Sequence, residues 1–388
     1  MRKIITTEKL PIKMWLDDIE EGAMQQARNL ANLPFAFRHI AIMPDCHEGY
    51  GMPIGGVLAA RDFIIPNAVG VDIGCGMCAV KTSLDKIDKK ILQKIVDEIK
   101  EIIPVGHRHQ SIKQDEKFMP KGFKINKMHI VNQEYESARE QIGTLGSGNH
   151  FIEIQKGSDG CIWIMLHSGS RNIGKKVADY YNKIAIELDG NLFKDQFKIR
   201  DLAFLPVNSE EARRYLYEMD YCIQFAFSNR VLMIERIKDC FVHNIRDIFF
   251  SPLINIAHNY AAREKHFNRI VYVHRKGATS ARKGETGIIP GSQGTQSYIV
   301  EGLGNPESFM SCSHGAGRIM SRHYAQKNLN YMDEVRYMEK KGIIHSMKSS
   351  RDLDEAPGAY KNIHDVMTLQ KDLVKILVEL DPLAVVKG

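Results

Sequence analysis

Three segments of the chain repeat apolar residues at the spacing of an amphipathic helix. Residues 84–103, 209–240 and 366–380 place apolar side chains three and four positions apart, with charged residues between them. Short apolar runs, such as "CIWIMLHSG" from Cys161 and "RIVYVHRKG" from Arg269, predict buried strands instead. Each of these runs adjoins a cluster of glycines; the clusters lie at 49–76, 143–148, 167–174, 277–294 and 302–317. The pattern predicts an α/β fold in which helices cover a sheet whose ends carry glycine-rich loops.

The domain organisation follows from where the glycine-rich motifs lie. Residues 106–128 are charged and loop-like and predict an exposed insertion, and residues 345–360 are the next candidate. Motifs continue on both sides of each segment, so neither marks a domain boundary. The sequence therefore predicts one compact domain over residues 1–388.

The composition of the chain bears on the kind of partner it could bind and on its cellular compartment. The chain has 53 basic and 47 acidic residues, a formal charge of +6, which is compatible with a polyanionic partner but does not require one. Its seven cysteines are an odd number without the spacing of a disulfide framework, which fits a reducing compartment. Since no run of about 18 apolar residues and no signal-peptide core occurs, we expect a cytoplasmic protein without a membrane segment.

The stretch "GVDIGCGMCAVK", from Gly70 to Lys81, combines a carboxylate and two thiols among glycines. A redox CxxC motif would open a helix, but "CGMC" leads into a segment with strand character. A zinc knuckle would need a second ligand pair nearby, and the sequence has none. Cys78 is more simply a small buried apolar residue. Asp72 and Cys75 then remain as a mixed ligand pair that imidazoles would have to complete.

Four histidines are candidates for that completion. His150, His167, His258 and His314 each end or follow an apolar run beside glycine or asparagine. A lone histidine in such a place is more often an ordinary core or surface residue than a ligand. Four in the same setting favour a common site.

The glycine-rich loops carry a second kind of chemistry. "GTLGSGNH", "HSGSRNIG", "IPGSQGTQS" and "HGAGR" combine small residues, which let backbone N–H groups approach an anion, with hydroxyls or arginines. None is a Walker loop or a dinucleotide fingerprint, and "HSGS" lacks the glycine that a nucleophile elbow requires. Together the loops indicate phosphate sites around the metal ligands.

These motifs also carry a resemblance to a known family. "GVDIGCGM", "LGSGNHFIE", "HSGSRNIG", "HNYA", "HRKGAT", "IIPGSQGTQSYIV" and "SCSHGAGR" occur in the order and approximate spacing of the RtcB family of GTP-dependent RNA ligases. The resemblance implies a single α/β domain with glycine-rich loops around a central dinuclear metal site. It further implies that Asp72, Cys75, His150, His167 and His258 hold two Mn²⁺ ions, with the Cys75 thiolate bridging them.

The resemblance also assigns a nucleophile and a nucleotide pocket. His314 would attack the α-phosphate of GTP and carry GMP. The implied GTP-binding residues are Asn149, His150, Phe151, Ile152, Glu153, His258, Asn259, Pro290, Gly291, Ser292, Gln293, Ser297, His314, Gly315, Ala316, Gly317 and Lys387. Glu153 and Lys387 would recognise the guanine edge.

The implied reaction joins two RNA ends. A 2′,3′-cyclic phosphate is hydrolysed to a 3′-phosphate, GMP passes from His314 to that phosphate, and the 5′-hydroxyl of the second end expels GMP. By type and position, the basic residues assigned to RNA phosphates are Arg171, Arg275, Lys276, Arg282 and Arg318. The resemblance leaves open whether the RNA is a spliced tRNA or another cleaved RNA, and whether an activating protein takes part. The chain departs from the family in its compactness and in Gln293, where methionine is common.

Two other functions use part of the same residues. A metal-dependent cyclic phosphoesterase would need the metal site and no GTP, but "SHGAGR" and Lys387 would then have no role. A non-catalytic RNA-binding protein would have no use for the ligand set. The sequence therefore favours the ligase.

Overall fold

The structure, a computed structural model, describes residues 1–192 and 200–387. Its helices are α1 (Glu21–Ala31), α2 (Lys89–Ile102), α3 (His129–Gln141), α4 (Arg171–Leu192), α5 (Glu210–Asn244), α6 (Arg322–Asn328), α7 (Tyr331–Lys340) and α8 (Ile363–Leu369). Short 3₁₀ turns lie at Pro66–Ala68, Glu116–Phe118, Ile125–Lys127, Arg200–Leu202, Pro306–Ser308, Ser350–Glu355 and Pro357–Ala359.

Two large sheets form the framework. The first has the spatial order β1 (Lys3–Ile5), β2 (Ile12–Met14), β3 (Ala36–Tyr50), β4 (Met52–Ala60), β12 (Arg269–Lys276) and β11 (Asn259–His266). The second has the order β10 (Ile254–Ala257), β6 (Gly76–Lys81), β8 (Ile162–Ser168), β7 (Phe151–Gly157), β17 (Val374–Lys387), β15 (Ser297–Gly302) and β14 (Thr286–Ile289). Two strand pairs are separate from them: β13 (Ala278–Ser280) with β16 (Ser311–Ser313), and β5 (Phe63–Ile64) with β9 (Leu205–Pro206).

The core is built in layers on these sheets. One apolar cluster contains Val57 and Val273 from the first sheet together with Ile289 and Val300 from the second, so the two sheets share a buried interface. Other clusters pack α2 and α5 on the second sheet and α1 on the first. The predicted fold class, a compact α/β domain, is confirmed. The assignment of all residues 1–388 to one domain stays a prediction.

Two of the three predicted helices form where the periodicity places them. In α2 the Asp88 carboxylate caps the helix by accepting from the backbone N–H groups of Lys90 (2.8 Å) and Ile91 (3.3 Å). Its buried face contains Leu92, Ile95, Val96 and Ile99. Helix α5 begins after Ser209, whose hydroxyl accepts from the Ala212 N–H (3.1 Å), and it runs past the loops that carry the candidate metal ligands.

The prediction of a helix over residues 366–380 is wrong. Helix α8 ends at Leu369, and the chain then forms β17, which pairs with β15 on one side and β7 on the other. The segment is rich in β-branched residues and Pro382 lies within β17, so pairing on both edges outweighs an apolar spacing that also fits a helix.

The two segments predicted as exposed insertions differ from each other. Residues 106–128 form loops and short 3₁₀ turns that are largely exposed, although Met119 and Met128 enter the core. In 345–360, by contrast, Leu353, Glu355 and Ala356 are buried. This second expectation is wrong, because the segment packs against the wall of a large cavity.

Candidate functional site

The predicted metal ligands converge at the end of the second sheet. Asp72, Cys75 and His150 form one group of potential ligand atoms, and Cys75, His167 and His258 form another; within each group the atoms lie within 4.8 Å of one another. The Cys75 sulfur is 3.4 Å from Nε2 of His150 and 3.3 Å from Nε2 of His167. The two groups therefore share one thiol.

Local structure explains why these residues meet. Asp72 and Cys75 lie on the turn before β6, and Gly74 in that turn has φ +75°; a Cβ there would lie 2.8 Å from Cα of Ile223 in α5. His167 lies at the end of β8 opposite Phe151, the residue that follows His150. The backbone N–H of His258 donates to the Cys75 carbonyl (2.8 Å). Three strand ends and one turn thus bring the side chains together.

Backbone carbonyls fix the orientation of two of the imidazoles. Nδ1–H of His150 donates to the Leu145 carbonyl (2.9 Å), and Nδ1–H of His167 donates to that of Asn149 (3.0 Å). Each ring then presents the lone pair of Nε2 to the cluster. Burial holds the pKa of His167 and of His258 well below 6.5, so both rings are neutral. Nε2 of His258 lies only 3.3 Å from Nε2 of His167.

Such a collection of lone pairs needs a cation to balance it. A thiol, a carboxylate and three imidazoles match the ligand preferences of divalent transition metals. The buried guanidinium of Arg230 supplies part of the positive charge and donates to the carbonyls of Gly74 (3.0 Å) and Ser168 (2.8 Å), which adjoin Cys75 and His167. The residues present therefore fit a dinuclear metal centre with a shared sulfur.

Cys78 has no part in this cluster. Its side chain is fully buried in the apolar core beside Val80 and Ile164, and burial raises the pKa of its thiol to about 12. The interpretation of Cys78 as a small apolar residue is confirmed.

A cavity of about 510 Å³ adjoins the cluster. Among the residues predicted for nucleotide binding, those that line it are Asn149, Phe151, Glu153, Pro290, Gly291, Ser292, Gln293, His314, Gly315, Ala316, Gly317 and Lys387. The ring of His314 contacts that of His258, with centroids 4.8 Å apart. His314 thus lies where the cavity meets the metal ligands.

The remaining predicted nucleotide residues lie around the cavity rather than on its lining. His150 and His258 belong to the metal cluster, and Ile152 packs in the apolar core beside Ile154. The Asn259 amide donates to the Asp72 carbonyl (3.2 Å) and accepts from the Gly277 N–H (2.8 Å). The Ser297 hydroxyl accepts from the Gly291 N–H (3.2 Å). These contacts give Asn259 and Ser297 roles in shaping the loops.

His314 is oriented by a residue without an assigned role in the sequence analysis. The fully buried Asp45 carboxylate accepts from Nδ1–H of His314 (2.7 Å) and from its backbone N–H (3.0 Å). Burial alone would raise the pKa of Asp45, but the hydrogen bond and charge of His314 outweigh it and the pKa is lowered. An ionised Asp45 therefore leaves Nε2 of His314 as the free nitrogen of the ring.

The far end of the cavity contains a buried carboxyl. Glu153 is 2% exposed and its Oε2 accepts from the Gln155 amide (2.6 Å). Burial raises its pKa to about 8, while Lys387 and Gln155 oppose the rise. N–H donors of a bound ligand would favour the ionised form of this carboxyl.

A second carboxylate, Glu355, was also missed. It lies 3% exposed on the cavity wall and contacts several cationic side chains. Its partners are Arg318 (3.2 Å), Arg322 (2.8 Å) and Lys387 (3.5 Å), with a further hydrogen bond from the Tyr360 hydroxyl. Neither Asp45 nor Glu355 lies in a segment with the spacing of metal ligands. Only the short motif "MPDCHEGYG", which contains Asp45, could have drawn attention to that residue.

The basic residues predicted to contact RNA divide into two sets. Arg171 adjoins the glycine loop before His150, because a Cβ on Gly146 would collide with its guanidinium group. Arg318 lines the cavity, and Arg282 is about half exposed while 3.2 Å from Glu264. Arg282 is thus open to a polyanion, Arg318 adjoins the cavity, and Arg171 lies partly buried beside the metal-ligand loop.

Arg275 and Lys276 lie in the interior instead. The fully buried Arg275 guanidinium pairs with Glu264 at 2.6 Å, and Lys276 donates to the carbonyls of Tyr50 and Asn67 (3.1 Å to the latter). The predicted contact of both with RNA phosphates is at odds with this burial. Their side chains are satisfied by the protein itself.

One further arginine belongs with the first set, although the sequence analysis did not name it. Arg322, at the start of α6, lies against the same glycine loop, and a Cβ on Gly148 would lie 2.9 Å from its Nη2. It also lines the cavity. Arg171 and Arg322 therefore flank the loop that leads into His150.

Among the described residues, the helices include none that is both long and apolar enough to cross a lipid bilayer.

Comparison with known proteins agrees with this geometry. Residues 26–388 match a family model described as "tRNA-splicing ligase RtcB". The "RNA-splicing ligase RtcB" of Escherichia coli K12 is 40% identical over 415 aligned positions, which cover 100% of this chain and 99% of the relative. The "tRNA-splicing ligase RtcB" of Nanoarchaeum equitans is 32% identical, covering 100% and 95%. The "RNA-splicing ligase RtcB homolog 2" of Entamoeba dispar is 32% identical, covering 95% and 84%.

Proposed function

The chain belongs to the RtcB family, and from this premise we propose that it is an RNA ligase that uses GTP and two Mn²⁺ ions. It joins RNA ends bearing a 3′-phosphate or 2′,3′-cyclic phosphate to 5′-hydroxyl ends. The observation that carries the proposal is the position of His314, held by Asp45 between the metal cluster and the cavity. A phosphoesterase that only opens cyclic phosphates would use the cluster but not this arrangement.

The metal centre is assigned to the two ligand groups that share Cys75. Asp72, Cys75 and His150 would hold one ion, and Cys75, His167 and His258 would hold the other. When bound, the ions neutralise phosphoryl charge and activate water for opening a cyclic phosphate. Manganese is the family-level choice, and the ligand chemistry alone would accept other divalent ions.

The nucleophile is Nε2 of His314. Asp45 binds Nδ1–H, so the lone pair of Nε2 is free to attack the α-phosphate of GTP. A P–N bond forms, the bond to the β-phosphate oxygen breaks, and pyrophosphate leaves. The Asp45 carboxylate stabilises the positive charge that develops on the ring as this bond forms.

The guanine is assigned to the end of the cavity that contains Glu153 and Lys387. A carboxylate accepts from the N–H groups of guanine, and an ammonium donates to its carbonyl. Adenine would leave both of these buried groups without partners, which is how a polar site rejects the wrong base. Phe151, which lines the same cavity, offers an aromatic edge or face to the nucleotide.

The RNA end is assigned to the arginines that lie near the metal ligands and the cavity. Arg171 and Arg322 flank the glycine loop beside the metal ligands, and Arg318 lines the cavity. A 3′-phosphate there attacks the GMP carried by His314; the P–N bond breaks and a pyrophosphate link to the RNA forms. The 5′-hydroxyl of the second end then attacks the RNA phosphate, GMP leaves, and a phosphodiester is made.

The cellular role is proposed at a coarser level. Splicing of tRNA and repair of other cleaved RNAs both supply the required ends. We propose a cytoplasmic enzyme, as the cysteine content suggests, and an activating protein is compatible with the family. None of these points changes the chemistry above.

The test is covalent labelling with GTP labelled at the α-phosphate, in the presence of manganese. Wild-type protein is expected to gain an acid-labile label, and His314→Ala should lose it while keeping its metal content. His243→Ala, an exposed histidine on α5, is the matched control and should label normally. Labelled His314→Ala protein would reject the nucleophile; no label in metal-loaded wild-type protein would reject GTP use. A gel of RNA products with and without GTP then separates sealing from cyclic-phosphate opening.

A further inference from the structure

Glu355 lies on the cavity wall among three cationic side chains. Its segment was expected to be an exposed insertion, yet the side chain is 3% exposed and lines the cavity. Its Oε1 accepts from Nη1 of Arg318 (3.2 Å) and from Nε of Arg322 (2.8 Å). Its Oε2 faces Nζ of Lys387 at 3.5 Å and accepts from the Tyr360 hydroxyl. One carboxylate thus contacts groups from the loop after β16, from α6 and from β17.

The charges in this group are not balanced one to one. Three cationic side chains meet a single buried carboxylate, so the group retains positive charge for phosphate ligands. Burial alone would raise the pKa of Glu355, but Lys387, Arg322, the Tyr360 hydrogen bond and Arg318 together lower it to about 2. The carboxylate is therefore ionised throughout the physiological range. Removing its charge would leave the largely buried Arg318 and Lys387 and the half-exposed Arg322 with no anion between them, so that they repel one another.

The backbone of Glu355 is tied to the nucleotide loop by Gln293. Nε2 of Gln293 donates to the Glu355 carbonyl (2.6 Å), and the Gln293 side chain is buried. A methionine at this position has no N–H to donate. The loop from Pro290 to Gln293 and the segment of Glu355 are therefore joined by a hydrogen bond that a methionine at position 293 could not make.

We propose that Glu355 is a positioning residue that couples the guanine end of the site to its RNA-phosphate end, with Gln293 as its tether. The inference rests on the proposed function, since it assigns Lys387 to the base and Arg318 and Arg322 to the RNA phosphate. Displacing Lys387 leaves Oε2 of Glu355 with the Tyr360 hydroxyl alone, and so alters how firmly Oε1 of the same carboxylate holds the two arginines. Binding of the base at Lys387 and binding of the RNA phosphate at the arginines then affect each other through Glu355, without direct contact between the two ligands.

Kinetics of the two half-reactions test this coupling. Glu355→Gln keeps the shape and removes the charge; we expect a KM for GTP in His314 labelling at least about tenfold higher, a change of about 1.4 kcal/mol. The KM for a 3′-phosphate RNA should rise similarly in single-turnover sealing by pre-labelled enzyme. Glu339→Gln is the control, because it makes the same substitution at an exposed carboxylate on α7. It should change neither constant more than about twofold.

A double-mutant cycle distinguishes coupling from a merely structural role. Lys387→Met should raise the KM for RNA in the wild-type background and leave it unchanged once Glu355 is Gln. Gln293→Met should also raise the KM for RNA in the wild-type background, but by less than Lys387→Met does. Equal effects of Lys387→Met in both backgrounds, or wild-type constants for Glu355→Gln, would overturn the inference. Absence of labelling in wild-type protein would instead be a failure of the proposed function.

Discussion

Replacing Asp45 by asparagine tests how His314 is prepared for attack. The Asp45 carboxylate accepts three hydrogen bonds, from Nδ1–H of His314 and from the backbone N–H groups of His314 and Gly315 (3.3 Å). Asparagine has nearly the same shape, but it has no charge and can turn an NH₂ group toward these donors. The ring then loses both its fixed tautomer and the anion that stabilises its developing charge.

The magnitude follows from the ionic hydrogen bond to the ring. A hydrogen bond to a charged group contributes about 1.5–3 kcal/mol, and each 1.36 kcal/mol of barrier is tenfold in rate, so guanylylation should slow by roughly 10- to 150-fold. The assay is the single-turnover rate of label transfer at saturating GTP, with the melting temperature and metal content measured in parallel. A rate within about threefold of wild type, in a variant with normal metal content, would refute the role given to Asp45.

Three further substitutions test other parts of the structure. Because burial raises the pKa of Glu153 from 4.5 to about 8, its contribution to stability is full below pH 4.5 and is lost as the pH rises toward 8. Glu153→Gln should therefore narrow the difference in melting temperature between pH 6 and pH 9; an unchanged difference would contradict the buried, uncharged state. Cys75→Ser should weaken metal binding at least about tenfold, the lower end of what outer ligand contacts contribute, and elemental analysis showing full occupancy would argue against a shared thiolate. Arg275→Met should cost about 3 kcal/mol of unfolding free energy, because the buried Glu264 keeps only His266 and the half-exposed Arg282 as partners. The salt dependence of RNA binding should be unchanged, and a reduced salt slope would return Arg275 to the RNA surface.

The sequence led to the ligand cluster because each ligand lies in a recognisable local setting. Asp72 and Cys75 share one glycine-rich turn, and His150, His167 and His258 each adjoin a strand end, so short-range patterns made them candidates. His314 was a candidate on the same grounds, and only the family resemblance separated it from the ligands as the nucleophile. The structure adds the arrangement into two groups with one shared sulfur, which depends on the meeting of three strand ends and cannot be read from spacing.

The residues that sequence reasoning missed act over long chain distances. Asp45 and His314 are separated by 269 positions. The cations around Glu355 are Arg318, Arg322 and Lys387, which come from separate elements, so no local pattern links them to it. Acidic residues are common on protein surfaces, and only tertiary packing shows that Asp45 and Glu355 are buried beside the cavity.

The wrongly predicted segment 366–380 shows a different limit. Its apolar spacing fits a helix for two turns, and α8 does extend into its first residues. The segment forms a strand because β7 and β15 each offer an edge with which it pairs. The partners of a strand are distant in sequence, so its periodicity alone could not settle its structure.

The position of β17 between β7 and β15 has a consequence for how the protein is made. All the other described strands precede residues 374–387 in the chain, so a ribosome completes both neighbours of this strand before the strand itself. Until it inserts, the second sheet has two unpaired edges that can join other chains. Nascent chains that stall before this point should therefore aggregate, and chaperone binding should concentrate on them.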